Sequence, residues 1–298
     1  MIFIKRTFIL SIIIISIIVL AFFSTPKKQK PLNKIIEDER MSETDSDGEP
    51  LDEELETAMM KEDPVRDFIS DQLKRAANFF FTNEINVVAI GDSLTEGVGD
   101  ETENGGYVGV LDETINEEKQ LVHFDNFGKR GNRSGQLIER LGEREIKRAI
   151  EKSHIVLITI GANDIMQVFK DNFTDLSLDQ FTSEQIKYEQ RLETIFDTIK
   201  NLNEDTEIYL IGFYNPFKRY FSDIEELDYI VESWNTIGAD VANRYEKGYF
   251  IPMVDIFDEA ENEFYLSGDN FHPNHTGYEM MAERILQFVI HEGERNNE

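Results

Sequence analysis

Val87-Val88-Ala89-Ile90-Gly91-Asp92-Ser93-Leu94-Thr95-Glu96-Gly97 is an apolar run that halts at a glycine and then presents a serine. A short run rich in β-branched side chains and closed by a turn residue reads as a buried strand. Leu94-Thr95 then open a turn or a helix, which sets Ser93 at a strand's carboxyl end. The full run spans Ile85–Ile90, and comparable runs occur at Leu121–Phe127, Ile155–Ile160, Ile208–Phe213 and Tyr249–Val254. Helix-like stretches separate them, near 134–152, 183–202, 224–246 and 276–292. Strands alternating with amphipathic helices predict an α/β fold with a parallel sheet covered on both faces. In such sheets functional loops gather at the carboxyl ends of the strands. No internal repeat is visible.

The chemistry-bearing residues fall at those ends. Asp269-Asn270-Phe271-His272-Pro273-Asn274-His275 places an Asp three residues before a His. Asp269 can accept from one ring nitrogen of His272 while the other faces Ser93, the nucleophile–base–orienter logic of acyl transfer. Ser93 taken alone also fits an ordinary helix cap. After the second strand, Asn126-Phe127-Gly128-Lys129-Arg130-Gly131-Asn132-Arg133-Ser134 carries two glycines that either make a turn or let the backbone approach a ligand. After the third, Gly161-Ala162-Asn163-Asp164 offers an Asn amide as an oxyanion donor, or a turn and cap. Asp269, His272 and His275 as metal ligands are a rival reading. No second ligand cluster accompanies them, so neither metal nor cofactor is expected. His123, His154 and His291 read as structural. The glycine-rich stretches match no full nucleotide signature.

Gly91-Asp92-Ser93-Leu94, Gly131, Gly161-Ala162-Asn163-Asp164 and Asp269-Asn270-Phe271-His272 together resemble the ordered blocks of the SGNH hydrolases, or GDSL-type lipases and esterases. The resemblance covers about residues 84–292. It implies a three-layer, flavodoxin-like α/β/α fold with a five-stranded parallel sheet. It implies Ser93 as nucleophile, His272 as general base and acid, and Asp269 as its orienter. It implies an oxyanion hole from the Ser93 N–H, the Gly131 N–H and the Asn163 side chain. One departure stands out: Lys129-Arg130 occupy the place where a smaller residue and a serine often precede the glycine, and Gly128 is the alternative to Gly131.

The chain has 298 residues and no cysteine, which excludes disulfides, zinc–thiolate sites, a cysteine nucleophile and a lipidated N-terminal cysteine. Net charge is −29, and residues 81–298 carry 44 acidic against 19 basic side chains, so the acidity belongs to the body. Such a body repels nucleic-acid phosphates, and no nucleic-acid partner is expected. Lys5-Arg6 precede an apolar run from Thr7 to Phe23, with lysines again at 27, 28 and 30. Residues 1–25 read as a signal-anchor or transmembrane helix, with a cleaved signal as the alternative. The body is then extracytoplasmic, on the outer side of the cell membrane or secreted. Residues 26–64 are acidic and poor in large apolar side chains, which predicts a disordered linker. The hydrolase domain is expected over 65–298.

Two aromatic-rich stretches are candidate acyl-groove linings: Met166, Val168, Phe169, Phe173, Leu176 and Phe181, and Phe213, Tyr214, Phe217, Tyr220 and Phe221. Phe169, Tyr214 and Phe217 are the chosen substrate-binding candidates. The plain alternative is that both stretches cover the sheet. The expected partner is an acyl ester, either a lipid or an acetylated glycan. The rival classes are a non-catalytic binding module on the same fold and a metal-dependent hydrolase.

Overall fold

β-branched and leucine-rich runs build a five-stranded, all-parallel sheet. Its strands are β1 (Ile85–Gly91), β2 (Val122–Gly128), β3 (Ile155–Thr159), β4 (Glu207–Ile211) and β5 (Gly248–Ile251), in the order β2-β1-β3-β4-β5. The computed structural model describes residues 85–117, 119–172, 174–215, 218, 225–258 and 264–295. The expected N-terminal helix, the acidic linker and the domain start at 65 lie outside these residues. Among the described residues, no helix is long and apolar enough to cross a membrane.

Period-2 alternation splits the core in two. Val88 and Ile90, Val156 and Ile158, and Ile208 and Leu210 face one cluster; Val87 and Ala89, Ile155 and Leu157, and Tyr209 and Ile211 face the other. The first face is covered by α3 (Ser134–Arg140), α4 (Arg144–Ile150), α6 (Leu178–Leu202) and α7 (Glu225–Ala242) through Leu137, Ile146, Leu192, Phe196 and Trp234. The second is covered by α2 (Gly106–Asn116) and α9 (His275–Arg295) through Tyr107, Leu111, Met281 and Ile285. Three further short helices follow strand ends: α1 (Ser93–Glu96), α5 (Ala162–Asp171) and α8 (Val254–Asp258).

Helices lie where the apolar spacing indicated, with three differences. The stretch 134–152 is two helices, because Leu141-Gly142 interrupts it. The segment after Asn163, which none of the expected helices includes, is the helix α5, with Ile165 and Val168 at helical spacing buried in the core. The helix α2 was not foreseen. The strand order reverses direction between β1 and β3, and in open parallel sheets that switch point is where a crevice opens beyond the strand ends. Ser93 follows β1, Gly131 follows β2 and Asn163 follows β3, so topology alone brings the three together.

Candidate active site

The turn that carries Ser93 is held by the residue before it. Asp92 Oδ1 accepts the Leu94 N–H at 3.1 Å, capping α1, and the Thr159 hydroxyl at 2.9 Å. Thr159 Oγ1 lies 2.6 Å from Thr95 Oγ1, which lies 2.9 Å from the Tyr107 hydroxyl. With Asp92 ionised the protons must run one way, from Tyr107 through Thr95 and Thr159 to the carboxylate. All four side chains are buried. Burial pushes the Asp92 carboxyl up to about 7, against the opposing hydrogen bonds from Leu94 and Thr159.

His272 sits in the loop before α9, which curls around one carboxylate. Asp269 Oδ1 accepts the Ser267 hydroxyl at 2.8 Å and the N–H groups of Phe271 and His272, each at 2.9 Å. This is an Asx-type turn, and Asn270 completes it at φ 53°. Asp269 Oδ2 lies 2.7 Å from His272 Nδ1, and His272 Nε2 lies 2.9 Å from Ser93 Oγ. Burial alone would raise the Asp269 pKa. The hydrogen bond and charge of His272, with the two backbone donors, outweigh it and hold the carboxyl well below its usual range. An ionised Asp269 accepts the Nδ1–H, which leaves Nε2 to accept the Ser93 hydroxyl. The three side chains lie in hydrogen-bonded succession although 179 positions separate Ser93 from His272.

The other candidate oxyanion donors follow β2 and β3. In the loop after β2, the Lys129 N–H donates to Gly91 O at 3.1 Å, the Arg130 N–H to the Glu96 carboxylate, and the Asn132 N–H to Lys129 O at 3.0 Å. The Gly131 N–H meets no acceptor among the described residues, and neither does the Ser93 N–H. Gly131 has φ +74°, and nothing lies within 4 Å of where its Cβ would be. The Gly128 N–H, by contrast, is taken by Asn126 Oδ1 at 2.8 Å. Of the two candidate glycines, Gly131 has the available donor. Asn163 spends one amide hydrogen on Asn132 O at 3.1 Å and keeps the other.

Some residues serve the site in ways the sequence did not signal. Asp164 is buried, and it accepts the Ser134 N–H at 3.0 Å, the Ser134 hydroxyl at 2.7 Å and Arg191 at 3.2 Å. It thereby ties α5 to α3 and α6, and burial raises its pKa. Tyr214 is one of the substrate-binding candidates. Its hydroxyl donates to Phe271 O at 2.7 Å and its buried ring stacks on Phe257 at 4.0 Å, so it braces the His272 loop. Phe169 is half-buried and meets Phe181 edge-on at 5.0 Å. Val168, Phe181 and Phe213 belong to the core. Val168, Phe169 and Phe181 lie on α5 and α6, helices that need an apolar face to pack on the sheet, while Phe213 is buried just beyond β4. Phe217 lies outside the described residues, as do Phe173, Tyr220 and Phe221.

A cavity of about 420 Å³ opens next to the residues that follow Asn132 and Asn163. Its walls are mainly polar, with Arg133, Gln167, Asp171, Gln180 and Lys187 against Val168. Regarding the metal alternative, Asp269 and His272 hold each other. His275 Nδ1 lies 3.2 Å from Asp100 and its Nε2 3.6 Å from Glu279. Among the described residues, no group of three or more His, Cys, Asp or Glu side chains could hold a metal ion.

Residues 89–280 match the model of the GDSL-like lipase/acylhydrolase family. The uncharacterized protein YpmR of Bacillus subtilis is 35% identical over 228 residues, covering 75% of this chain and 89% of that one. The spore germination lipase LipC of Bacillus licheniformis is 29% identical over 212 residues, covering 67% of this chain and 94% of that one. Among solved structures, the lipase Lip_vut3 from a goat rumen metagenome superposes with a TM-score of 0.58 at 24% identity, over 67% of this chain and 95% of that one. At that identity the structural likeness is one of fold.

Proposed function

This chain belongs to the GDSL-like lipase/acylhydrolase family and is an ester-hydrolysing enzyme, and from that premise we propose that it works through an acyl-enzyme on Ser93. The observation that carries the proposal is the unbroken succession Ser93 Oγ–His272 Nε2 at 2.9 Å and His272 Nδ1–Asp269 Oδ2 at 2.7 Å. His272 takes the hydroxyl proton as Ser93 Oγ attacks the ester carbonyl. The carbonyl oxygen becomes an oxyanion, held by the Ser93 and Gly131 N–H groups and the remaining Asn163 amide hydrogen. His272 returns its proton to the departing alkoxide and the alcohol leaves. A water then repeats the sequence on the acyl-enzyme and frees the acid. Asp269 stays ionised throughout, fixing the imidazole tautomer and stabilising its charged form.

Lipid acyl esters are the proposed substrate class. The relative called a spore germination lipase supports that choice. Acetylated glycan remains the second reading, favoured by the polar walls of the cavity beside Asn163. The apolar run from Thr7 to Phe23 is proposed to tether the enzyme at the outer face of the membrane. Retention of full-length protein in the membrane pellet after alkaline washing, and its loss on deleting residues 1–25, would bear that out; release of both would refute it.

The decisive experiment uses p-nitrophenyl esters of increasing acyl length with Ser93→Ala as control. Turnover should fall at least about 10⁴-fold while folding is kept. A fluorophosphonate should label Ser93 in the parent and nothing in the variant. Undiminished hydrolysis by Ser93→Ala would discard the mechanism.

A further inference from the structure

Arg140 lies on α3 with its side chain 12% exposed, and its guanidinium reaches back over the strand ends. Nη2 donates to Phe127 O at 2.8 Å. Nη1 donates to Asn132 Oδ1 at 2.8 Å and, at a longer 3.4 Å, to Gly91 O. Those contacts fall on the segments that present the available donors. Gly91 leads into Asp92-Ser93. Asn132 follows Gly131, and its carbonyl holds the Asn163 amide at 3.1 Å. We propose that Arg140 is a positioning residue for the oxyanion site: one largely buried cation that sets the spacing of the Ser93, Gly131 and Asn163 donors without touching substrate. The proposal rests on the serine-esterase reading above.

Two considerations carry it. First, burying a guanidinium is costly unless its N–H groups are met. Its carboxylate neighbour Glu143 is 3.9 Å away and mostly exposed, so the ion pair does not explain the burial. The acceptors that do are two strand-end carbonyls and the Asn132 side chain. Second, the loop after β2 has little packing of its own. A Cβ on Gly131 would meet nothing within 4 Å, Lys129 and Arg130 are exposed, and the buried Asn132 is the residue that Arg140 holds. Its shape therefore depends on hydrogen bonds, and a planar fork meets several acceptors at once where an ammonium meets them as a point charge.

The test compares Arg140→Gln, Arg140→Lys and Glu143→Gln in the full chain. It reads kcat and KM on p-nitrophenyl butyrate, thermal midpoint, and amide exchange of residues 127–133. Arg140→Gln should lower kcat about 10- to 100-fold, somewhat less than outright removal of a donor. KM should move less than about threefold, and exchange in the loop should quicken. Arg140→Lys should recover part of the loss, and Glu143→Gln should stay within about twofold of the parent. If Arg140→Gln fails to fold, Asn132→Ala removes one acceptor of the clamp and should lower kcat about tenfold. A variant with a lowered midpoint but parental kcat, well below that midpoint, would reduce Arg140 to a stability residue and overturn the proposal. A parent that hydrolyses no ester would instead defeat the esterase reading itself, while loop exchange would still report whether the clamp holds.

Discussion

Two carboxyls, one in the turn that carries Ser93 and one bonded to His272, are driven in opposite directions. Asp269 collects donors from His272, Phe271 and Ser267, which keep it ionised despite partial burial. Asp92 is more deeply enclosed, and its burial wins, pushing it up to about 7. The folded state therefore holds a proton on Asp92 that the unfolded chain has released, so stability drains away as pH rises through about 7. Asn keeps the shape and the accepting oxygen but does not titrate. The stability of Asp92→Asn relative to the parent should improve by on the order of 2 kcal/mol between pH 5.5 and 8.5. Urea midpoints at both pH values test this; parallel curves would place the shift elsewhere. Asp269→Asn should behave differently, losing about 10²–10⁴-fold in turnover, because the imidazole loses its tautomer control. Restored activity on reverting to Asp, with unchanged midpoints throughout, would separate that loss from misfolding. The hydrogen-bonded succession of Ser93, Asp269 and His272 was legible only from the motifs read together, because Ser93 alone fits an ordinary helix cap while Asp269 three residues before His272 supplies a partner for the ring. The chain from Asp92 to Tyr107 was not, since it joins β1, β3, α1 and α2 through a register that only packing sets.

Strands were readable because buried β-branched runs have few other uses, and the five observed strands start within a residue of the expected runs. Helices were read less well. α2 hides behind the glycine-rich turn that precedes it, although Tyr107, Val108 and Leu111 lie on one buried face. The first turn of α5 holds Asn163-Asp164, residues that equally make turns. The loop after β2 shows most sharply what the sequence leaves open, because its two glycines look alike and do different work. A Cβ on Gly128 would lie 2.1 Å from Glu96 N and 2.4 Å from Thr95 C, so β2 packs directly on the backbone of the nucleophile turn. A Cβ on Gly131 would meet nothing, and the obstacle there is φ +74° alone. Gly128→Ala should therefore cost about 2–4 kcal/mol and displace α1, abolishing most activity. Gly131→Ala should cost about 1 kcal/mol, the penalty for a left-handed alanine. Chemical denaturation of both variants decides: equal losses, or the larger loss at Gly131, would contradict this division of labour.

Residues 81–298 carry 25 more negative charges than positive, and this excess acts on every element at once. Specific ion pairs oppose it. Arg244 reaches Glu189 and Glu193, Arg284 reaches Asp255, and Arg191 bridges Glu184 and Asp164. Most of these lie at the surface, where a pair is worth about 0–1 kcal/mol. Such pairs do not offset long-range repulsion in a body with this excess of negative charge, which compactness brings closer together. The balance has a measurable sign. Salt screens distant repulsion more completely than contact attraction, since the Debye length is about 30 Å at 0.01 M and about 3 Å at 1 M. Raising sodium chloride from about 0.02 M to 0.5 M should lift the thermal midpoint by several degrees, a shift of roughly 1 kcal/mol or more for a domain of this size. A midpoint that falls with salt would mean that the ion pairs dominate, and that Arg244, Arg284 and Arg191 hold the fold more firmly than their exposure suggests.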